Sequence, residues 1–450
     1  MRYLSSRCVL TLASCAVLSV PCFSQPQPVT PGMVRAEFVH AWDGYRRYAW
    51  GHDELMPLSK KPRDWYGTSL CMTPVDAFDT MVLMGLTNEA ADAKKIILDS
   101  LSFNKNLEVQ AFEITIRLLG GLISAYQMDG DARFLALAQD LGNRLLPIYN
   151  TPTKMPCRYV NLQTGKIRDS LNNPAEIGTA LLEFGTLSKL TGNPVYYRKA
   201  KDAVVELYNH RSKIGLVGTW IDVETGEWRD KTSHIGGAID SYHEYLIKSW
   251  LLFGDKECKQ MWDESIAAIN TYVADTTHGG LWYGQVDMDT GKRTGTEFGS
   301  LEAFFPALLC LAGDTARAAR LEQSCLRMWN RSGIEPDDID YSTMKVTESP
   351  YYLRPEIIES AYYLHSFTGD PAYTKMGEVF FHAIKEYCRT DAGYAALKDV
   401  TTREKSDRMQ SFFLAETLKY LYLLFSPDTR MPFKDFVFNT EAHPLRKIWN

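Results

Sequence analysis

The chain has 450 residues, 45% of them hydrophobic and 23% charged, with a formal net charge of −6. That apolar content fills a large core and excludes a disordered chain, while 30 Gly and 20 Pro without a short period exclude a collagen-like or low-complexity one. With 49 basic residues against 55 acidic ones and no basic run, the composition argues against a nucleic-acid binder.

The first predicted element is an export signal over residues 1–25. Arg2 and Arg7 supply a positive start, and residues 8–20 are apolar but too short for an ordinary membrane-spanning helix. Small residues follow, with cleavage expected near Ser24. Leu12-Ala13-Ser14-Cys15 resembles a lipoprotein box with little apolar sequence before it, so lipidation ranks behind cleavage. Residues 25–31 read as a linker, and no later segment is long and apolar enough to cross a bilayer. The expected product is an exported monomer, periplasmic or secreted, with residues 26–450 as one domain. Cys71, Cys157, Cys258, Cys310, Cys325 and Cys388 then remain, without zinc-ligand spacing. Buried free thiols are the default for them.

Strand signals are few. Residues 215–222 and 280–286 each precede a Thr-Gly turn and predict short hairpins. The rest reads as helix, punctuated by one recurring turn. Gly130-Asp131, Gly192-Asn193, Gly254-Asp255, Gly313-Asp314 and Gly369-Asp370 are separated by 62, 62, 59 and 56 residues, with looser copies at Thr87-Asn88 and Pro427-Asp428. Gly ends one helix in a left-handed cap, and Asp or Asn caps the next. Seven such turns predict seven helical hairpins in chain order. Helices before the turns (112–126, 239–252, 357–367, 411–425) are apolar nearly all round. Helices after them (132–146, 194–208, 315–329, 371–387) are amphipathic. Buried helices alternating with solvated ones predict an all-α fold, an (α/α)7 barrel with a few short β-hairpins. An open solenoid of the same hairpins is the alternative, and would bury the inner helices less.

The apolar helices carry acids: Glu113, Glu176, Asp240 and Glu244, Glu302, Glu356 and Glu359, and Glu416. Glu113, Glu176, Asp240, Glu302, Glu356 and Glu416 lie 11 to 17 residues ahead of their turns. Each is therefore near the start of its inner helix, and a barrel would aim them all into one mouth. Helix capping explains any single one. A full ring of buried charge instead needs cations, protons or a polyhydroxyl ligand. Without a zinc, phosphate or dinucleotide motif, paired carboxylates point to glycoside chemistry. The 10 Trp and 24 Tyr suit stacking on sugar faces as well as an aromatic core.

A run of segments resembles the class I α-mannosidases, glycoside hydrolase family 47, from about Val34 to His443. They are His40-Ala41-Trp42-Asp43-Gly44-Tyr45, Gly51-His52-Asp53-Glu54-Leu55-Met56-Pro57, Phe112-Glu113-Ile114-Thr115-Ile116-Arg117 and Asp240-Ser241-Tyr242-His243-Glu244. Leu353-Arg354-Pro355-Glu356, Ser411-Phe412-Phe413-Leu414-Ala415-Glu416 and Asn439-Thr440-Glu441-Ala442-His443-Pro444 follow. The resemblance implies the same (α/α)7 barrel. It also implies an inverting, Ca²⁺-dependent exo-α-1,2-mannosidase acting on oligomannose or glycoprotein glycans. By motif position Glu113 is implied as general acid, Glu356 as general base and Asp240 as a third catalytic acid. Thr440 is implied as the Ca²⁺ ligand. Asp53, Glu176, Glu244, Glu359, Glu416 and Glu441 are implied to hold sugar or metal-bound waters. Ala238 stands where members that trim glycans in the endoplasmic reticulum carry Arg, so branch preference does not transfer. Residues 299–306 and 408–412 are more similar to the degradation-enhancing mannosidase-like branch. A mannose-binding lectin on the same scaffold and an α-mannosidase of other linkage specificity are the alternatives.

Overall fold

A computed structural model describes residues 28–426 and 431–447. The export signal, the lipoprotein-like box and the Pro427-Asp428 turn lie outside the described residues.

Gly85, Gly130, Gly192, Gly254, Gly313 and Gly369 all stand at helix ends with φ between +68° and +87°. A side chain is strained there and glycine is not. The next helix is started by a side-chain cap in several cases. Asp131 accepts the N–H of Arg133, Asp255 those of Glu257 and Cys258, and Asp314 that of Arg317. The break near Thr87-Asn88 falls at Gly85-Leu86, and Thr87 begins the following helix.

The apolar pattern decides which helix is inner. Asp240–Phe253 buries residues on every face, whereas Lys256–Ala268 buries only the stripe Cys258, Met261, Trp262, Ser265 and Ala268. Among the described residues seven inner helices form a ring: Met72–Met84, 111–129, 174–191, Asp240–Phe253, 301–311, Glu356–Thr368 and 413–425. Seven outer helices surround them, so the fold is an (α/α)7 barrel. The seventh pair corrects one expectation. It is not a hairpin in chain order: Pro31–Tyr48 packs as the outer partner of Leu418–Phe425, and residues 413–417 close the ring against Met72–Met84. The linker expected over residues 25–31 ends one residue early, because Pro31 is already helical and Thr30 Oγ1 accepts the Met33 N–H at 3.3 Å.

Strands are more numerous than expected, in nine small antiparallel sheets of two or three strands among the described residues. The two predicted hairpins are present, as Trp220–Asp222 with Glu227–Asp230 and Gln285–Asp287 with Arg293–Gly295. The others are two to four residues long, too short for alternation to show in a sequence. All but one sheet lie in the long connections from an outer helix to the next inner helix. The tight glycine turns therefore make one end of the barrel. The hairpins and the inner-helix N-termini make the other.

The exception is Phe436–Phe438 paired with Pro444–Arg446. Its tip, residues 439–443, enters the barrel from the turn end and seals it. A Cβ on Gly120 would lie 2.6 Å from Asn439 Nδ2, and one on Gly121 3.2 Å from the His443 ring, so both inner-helix positions need glycine. The six cysteines are buried and free. No described helix is long and apolar enough to cross a membrane.

Gly120→Ala is expected to lower stability by about 1–3 kcal/mol, the range for overpacking a close contact. Gly130→Ala, with open space around its Cβ, is expected to lose about 1 kcal/mol from its left-handed backbone alone. Urea midpoints ranking the two the other way would show that the tip does not press on residue 120.

Candidate active site

The inner-helix N-termini and the hairpin tip enclose a cavity of about 400 Å³. Glu113, Glu176, Asp240, Glu244, Glu356, Glu359, Glu416, Thr440 and Glu441 all line it. Seven of the eight acids come from five inner helices, six of them in the first turn and Glu244 one turn further on, and Thr440 and Glu441 come from the tip. Glu113 and Glu356, on the second and sixth inner helices, approach from different sides of the ring. In two helices a π turn, Thr115–Leu119 and Phe413–Thr417, inserts a residue beside the acid. Phe112, Glu113, Ile116 and Arg117 all reach the cavity from that stretch.

Two of the acids named from the sequence stand elsewhere. Asp53 is fully buried but lies outside the cavity. Its Oδ1 accepts the N–H groups of Leu70 at 2.7 Å and Met72 at 3.2 Å, and its Oδ2 accepts that of Trp65 at 3.1 Å. It thus knits the loop leading into the first inner helix, which corrects its expected place against the sugar. Glu302 turns away from the ring: its Oε2 accepts the Gly299 N–H at 3.0 Å, and it packs on Gly236. It lines an adjoining recess with Asp338, leaving apolar Leu301 and Phe304 to face the main cavity.

Four cations answer the acids, and the sequence reading assigned none of them a part. Arg117 is buried against Glu113 at 2.9 Å, bonds Glu441, and stacks over Trp65 and Phe412 at 5.2 and 5.7 Å. Its signal was legible as an i, i+4 pair with Glu113. Lys248 bonds Glu244 with the same spacing. Arg354 Nη1 lies 3.9 Å from Glu356 Oε1. Arg158, 2.8 Å from Glu176 and 5.2 Å over the Trp220 ring, comes from a hairpin with no periodic signal. Glu176 is further held by Gln110 and Asn173, both at 3.0 Å.

Eight acids against four cations leave a surplus of negative charge in a closed space. Burial drives carboxyls toward their protonated form, raising Asp240 and Glu356 to about 7 and Glu359 and Glu441 to about 8. Glu416 is driven well above its usual range, by burial and by neighbouring Glu441.

This surplus, and a donor set made only of oxygens, fit a hard divalent cation such as Ca²⁺. Among the described residues neither the carbonyl nor the hydroxyl of Thr440 is engaged in a hydrogen bond, and Thr440 lines the cavity. No three His, Cys, Asp or Glu side chains among the described residues converge on one point. The oxygens available to such an ion are those of Thr440 and of the acids around it.

An (α/α) barrel that aims acids from its inner helices into one sugar-sized cavity suits a glycoside hydrolase. The chain belongs to glycosyl hydrolase family 47, whose profile matches residues 37–447. It is 38% identical over 437 residues to human mannosyl-oligosaccharide 1,2-alpha-mannosidase IB, spanning 90% of this chain and 68% of that protein. It is 37% identical over 453 residues to mouse ER degradation-enhancing alpha-mannosidase-like protein 2, spanning 92% and 77%. The solved alpha-1,2-mannosidase from Trichoderma reesei superposes with a TM-score of 0.85 at 29% identity, over 92% of this chain and 98% of that one.

The raised carboxyls set a sign for stability. A folded-state value of about 8 against an ordinary 4.5 means the native state holds protons that the unfolded chain releases. Their stabilisation is present below pH 4.5 and lost as pH rises through 8. With chelator present, the melting temperature is expected to fall between pH 5 and 8.5, and Ca²⁺ is expected to restore it most at the alkaline end. A melting temperature that rises with pH in chelator would overturn this account of the charge surplus.

Proposed function

We propose that the protein is a Ca²⁺-dependent, inverting exo-α-1,2-mannosidase that releases terminal mannose from oligomannose glycans. The observation that carries this reading is the convergence of Glu113, Asp240, Glu356 and Thr440 on one cavity closed at its floor. A floor sealed by the hairpin tip admits a chain end and not a chain interior, which suits exo-cleavage. The family membership supports the reaction class. We further propose that the chain is exported, to the periplasm or beyond, and acts as a monomer.

In this reading Glu356 takes a proton from the attacking water on one side of the sugar ring. Glu113 delivers a proton to the departing oxygen on the other. Asp240, also held toward its protonated form by burial, is a third acid beside the scissile bond. Thr440 would hold Ca²⁺ through its two oxygens, with Glu359, Glu416 and Glu441 orienting the ion's waters. When bound, the ion supplies hard-cation contacts for vicinal hydroxyls of the terminal mannose. Leu301 and Phe304 offer an apolar wall to a sugar face.

The test is mannose release from α-1,2-mannobiose, with Ca²⁺ and with EDTA, followed by NMR of the first-formed anomer. Release that needs Ca²⁺ and gives β-mannose is expected, and Glu356→Gln should lower kcat by at least about 10³-fold while binding persists. Binding without turnover would leave the lectin reading standing. Turnover of α-1,3 or α-1,6 mannobiosides in preference would leave the other-linkage reading.

A second prediction isolates the base. Burial raises Glu356 and the Arg354 guanidinium lowers it. Glu356 acts ionised, so removing Arg354 should move the acid limb of kcat/KM to higher pH. Arg354→Met is expected to shift that limb up by about one unit, losing more activity at pH 6 than at pH 8. A limb that stays in place would take Glu356 out of the base role.

A further inference from the structure

The hairpin tip is anchored from two sides, and the two anchors differ in what they reach. On one side Lys419 Nζ donates to the Ala442 carbonyl at 2.6 Å, and His443 Nδ1 pairs with Asp79 Oδ2 at 2.6 Å. These bonds hold the far end of the tip, where Ala442 adopts φ +57°. On the other side the Thr440 N–H donates to Tyr245 Oη at 3.3 Å, and the Tyr245 hydroxyl donates to Glu183 Oε1 at 2.6 Å. Asn439 Nδ2 donates to the same Glu183 oxygen at 2.8 Å. Tyr245 and Glu183 are 1% and 0% exposed, and neither lines the cavity.

The direction of this chain is fixed by its acceptor. Glu183 Oε1 takes protons from both neighbours, so Tyr245 spends its one hydrogen there and keeps a lone pair for the Thr440 N–H. That bond holds the Asn439–Thr440 peptide, and the next one, which carries the Thr440 carbonyl, is held through the Glu441 N–H donating to Asn439 Oδ1 at 3.0 Å, on the same Asn439 side chain that Glu183 anchors. We propose that Tyr245 and Glu183 are positioning residues that set Thr440 for cation binding, acting through the Thr440 main chain and not by contact with ion or sugar. The proposal rests on the reading of Thr440 as the Ca²⁺ ligand. Because Lys419 and His443 hold the tip independently, losing the Tyr245 hydroxyl should misplace Thr440 without ejecting the hairpin.

The experiment is Ca²⁺ titration of the purified full chain by calorimetry. Melting temperatures in EDTA and in Ca²⁺ are measured alongside. Tyr245→Phe is expected to weaken Ca²⁺ binding at least tenfold, with a melting temperature in EDTA close to that of the parent. Excess Ca²⁺ should return kcat most of the way. Glu183→Gln keeps an acceptor at Oε1 and is expected to stay within about threefold of the parent's affinity, whereas Glu183→Met should lose affinity as Tyr245→Phe does. If Tyr245→Phe does not fold, Glu183→Met carries the same comparison. Parent-like Ca²⁺ affinity in either variant would overturn the brace while leaving the enzyme reading intact. A parent that binds no Ca²⁺ would overturn both, and equal loss of melting temperature with and without Ca²⁺ would reduce the residues to packing.

Discussion

Holding eight acids around one enclosed space is the constraint to which the rest of the molecule answers. An unpaired buried carboxylate costs several kcal/mol, and its neighbours of like sign add to that. The topology supplies the first compensation. Short glycine turns at one end and long connections at the other make all inner helices run the same way, so their positive N-terminal ends converge on the acids. Arg117, Lys248, Arg354 and Arg158 supply the second. Protons or a bound cation must supply the remainder, which links occupancy of the site to the stability of the barrel.

The hairpin tip turns a tube into a pocket. It brings Glu441 to Arg117 and Thr440 to the floor, and it uses residues from five inner helices as its seat: Asp76 and Asp79, Ile116, Glu183, Tyr245 and Lys419. Arg117 ties this floor to the wall, since the same guanidinium holds Glu113 and Glu441. Removing one partner from such a buried pair strands the other, so floor and wall stand or fall together.

Much of this was legible in the sequence because it rests on local chemistry. Gly130, Gly192, Gly254, Gly313 and Gly369 announced the turns through a backbone only glycine tolerates. Acids such as Glu113 and Glu416 stood out against apolar helices. What escaped detection depends on contacts distant in the chain. The outer helix Pro31–Tyr48 and the inner helix 413–425 pair only because the ring closes, and no turn records it. Asp53 sits in a family-like motif, yet three backbone N–H groups some 12 to 19 residues away engage its carboxylate. Glu302 has the spacing of a ring member, but a Gly299 N–H draws it aside. Strands of two or three residues carry too few positions to show a period.

The acids of the cavity fall into two kinds, and the difference bears on catalysis against mere binding. Glu176 is clamped by Arg158, Gln110 and Asn173, as suits a carboxylate meant to stay charged and accept sugar hydroxyls. Glu356 is treated otherwise: its Oε2 is buried without a partner and its nearest cation stands 3.9 Å away. Burial without full compensation raises Glu356 and Asp240 to about 7. A site that only holds mannose gains nothing from such carboxyls, since each weakens the fold without fixing a hydroxyl. A hydrolase does gain, because in a single displacement a group balanced between its two forms can take a proton from the attacking water or give one to the departing oxygen. The uneven treatment of like residues within one cavity therefore favours turnover over capture.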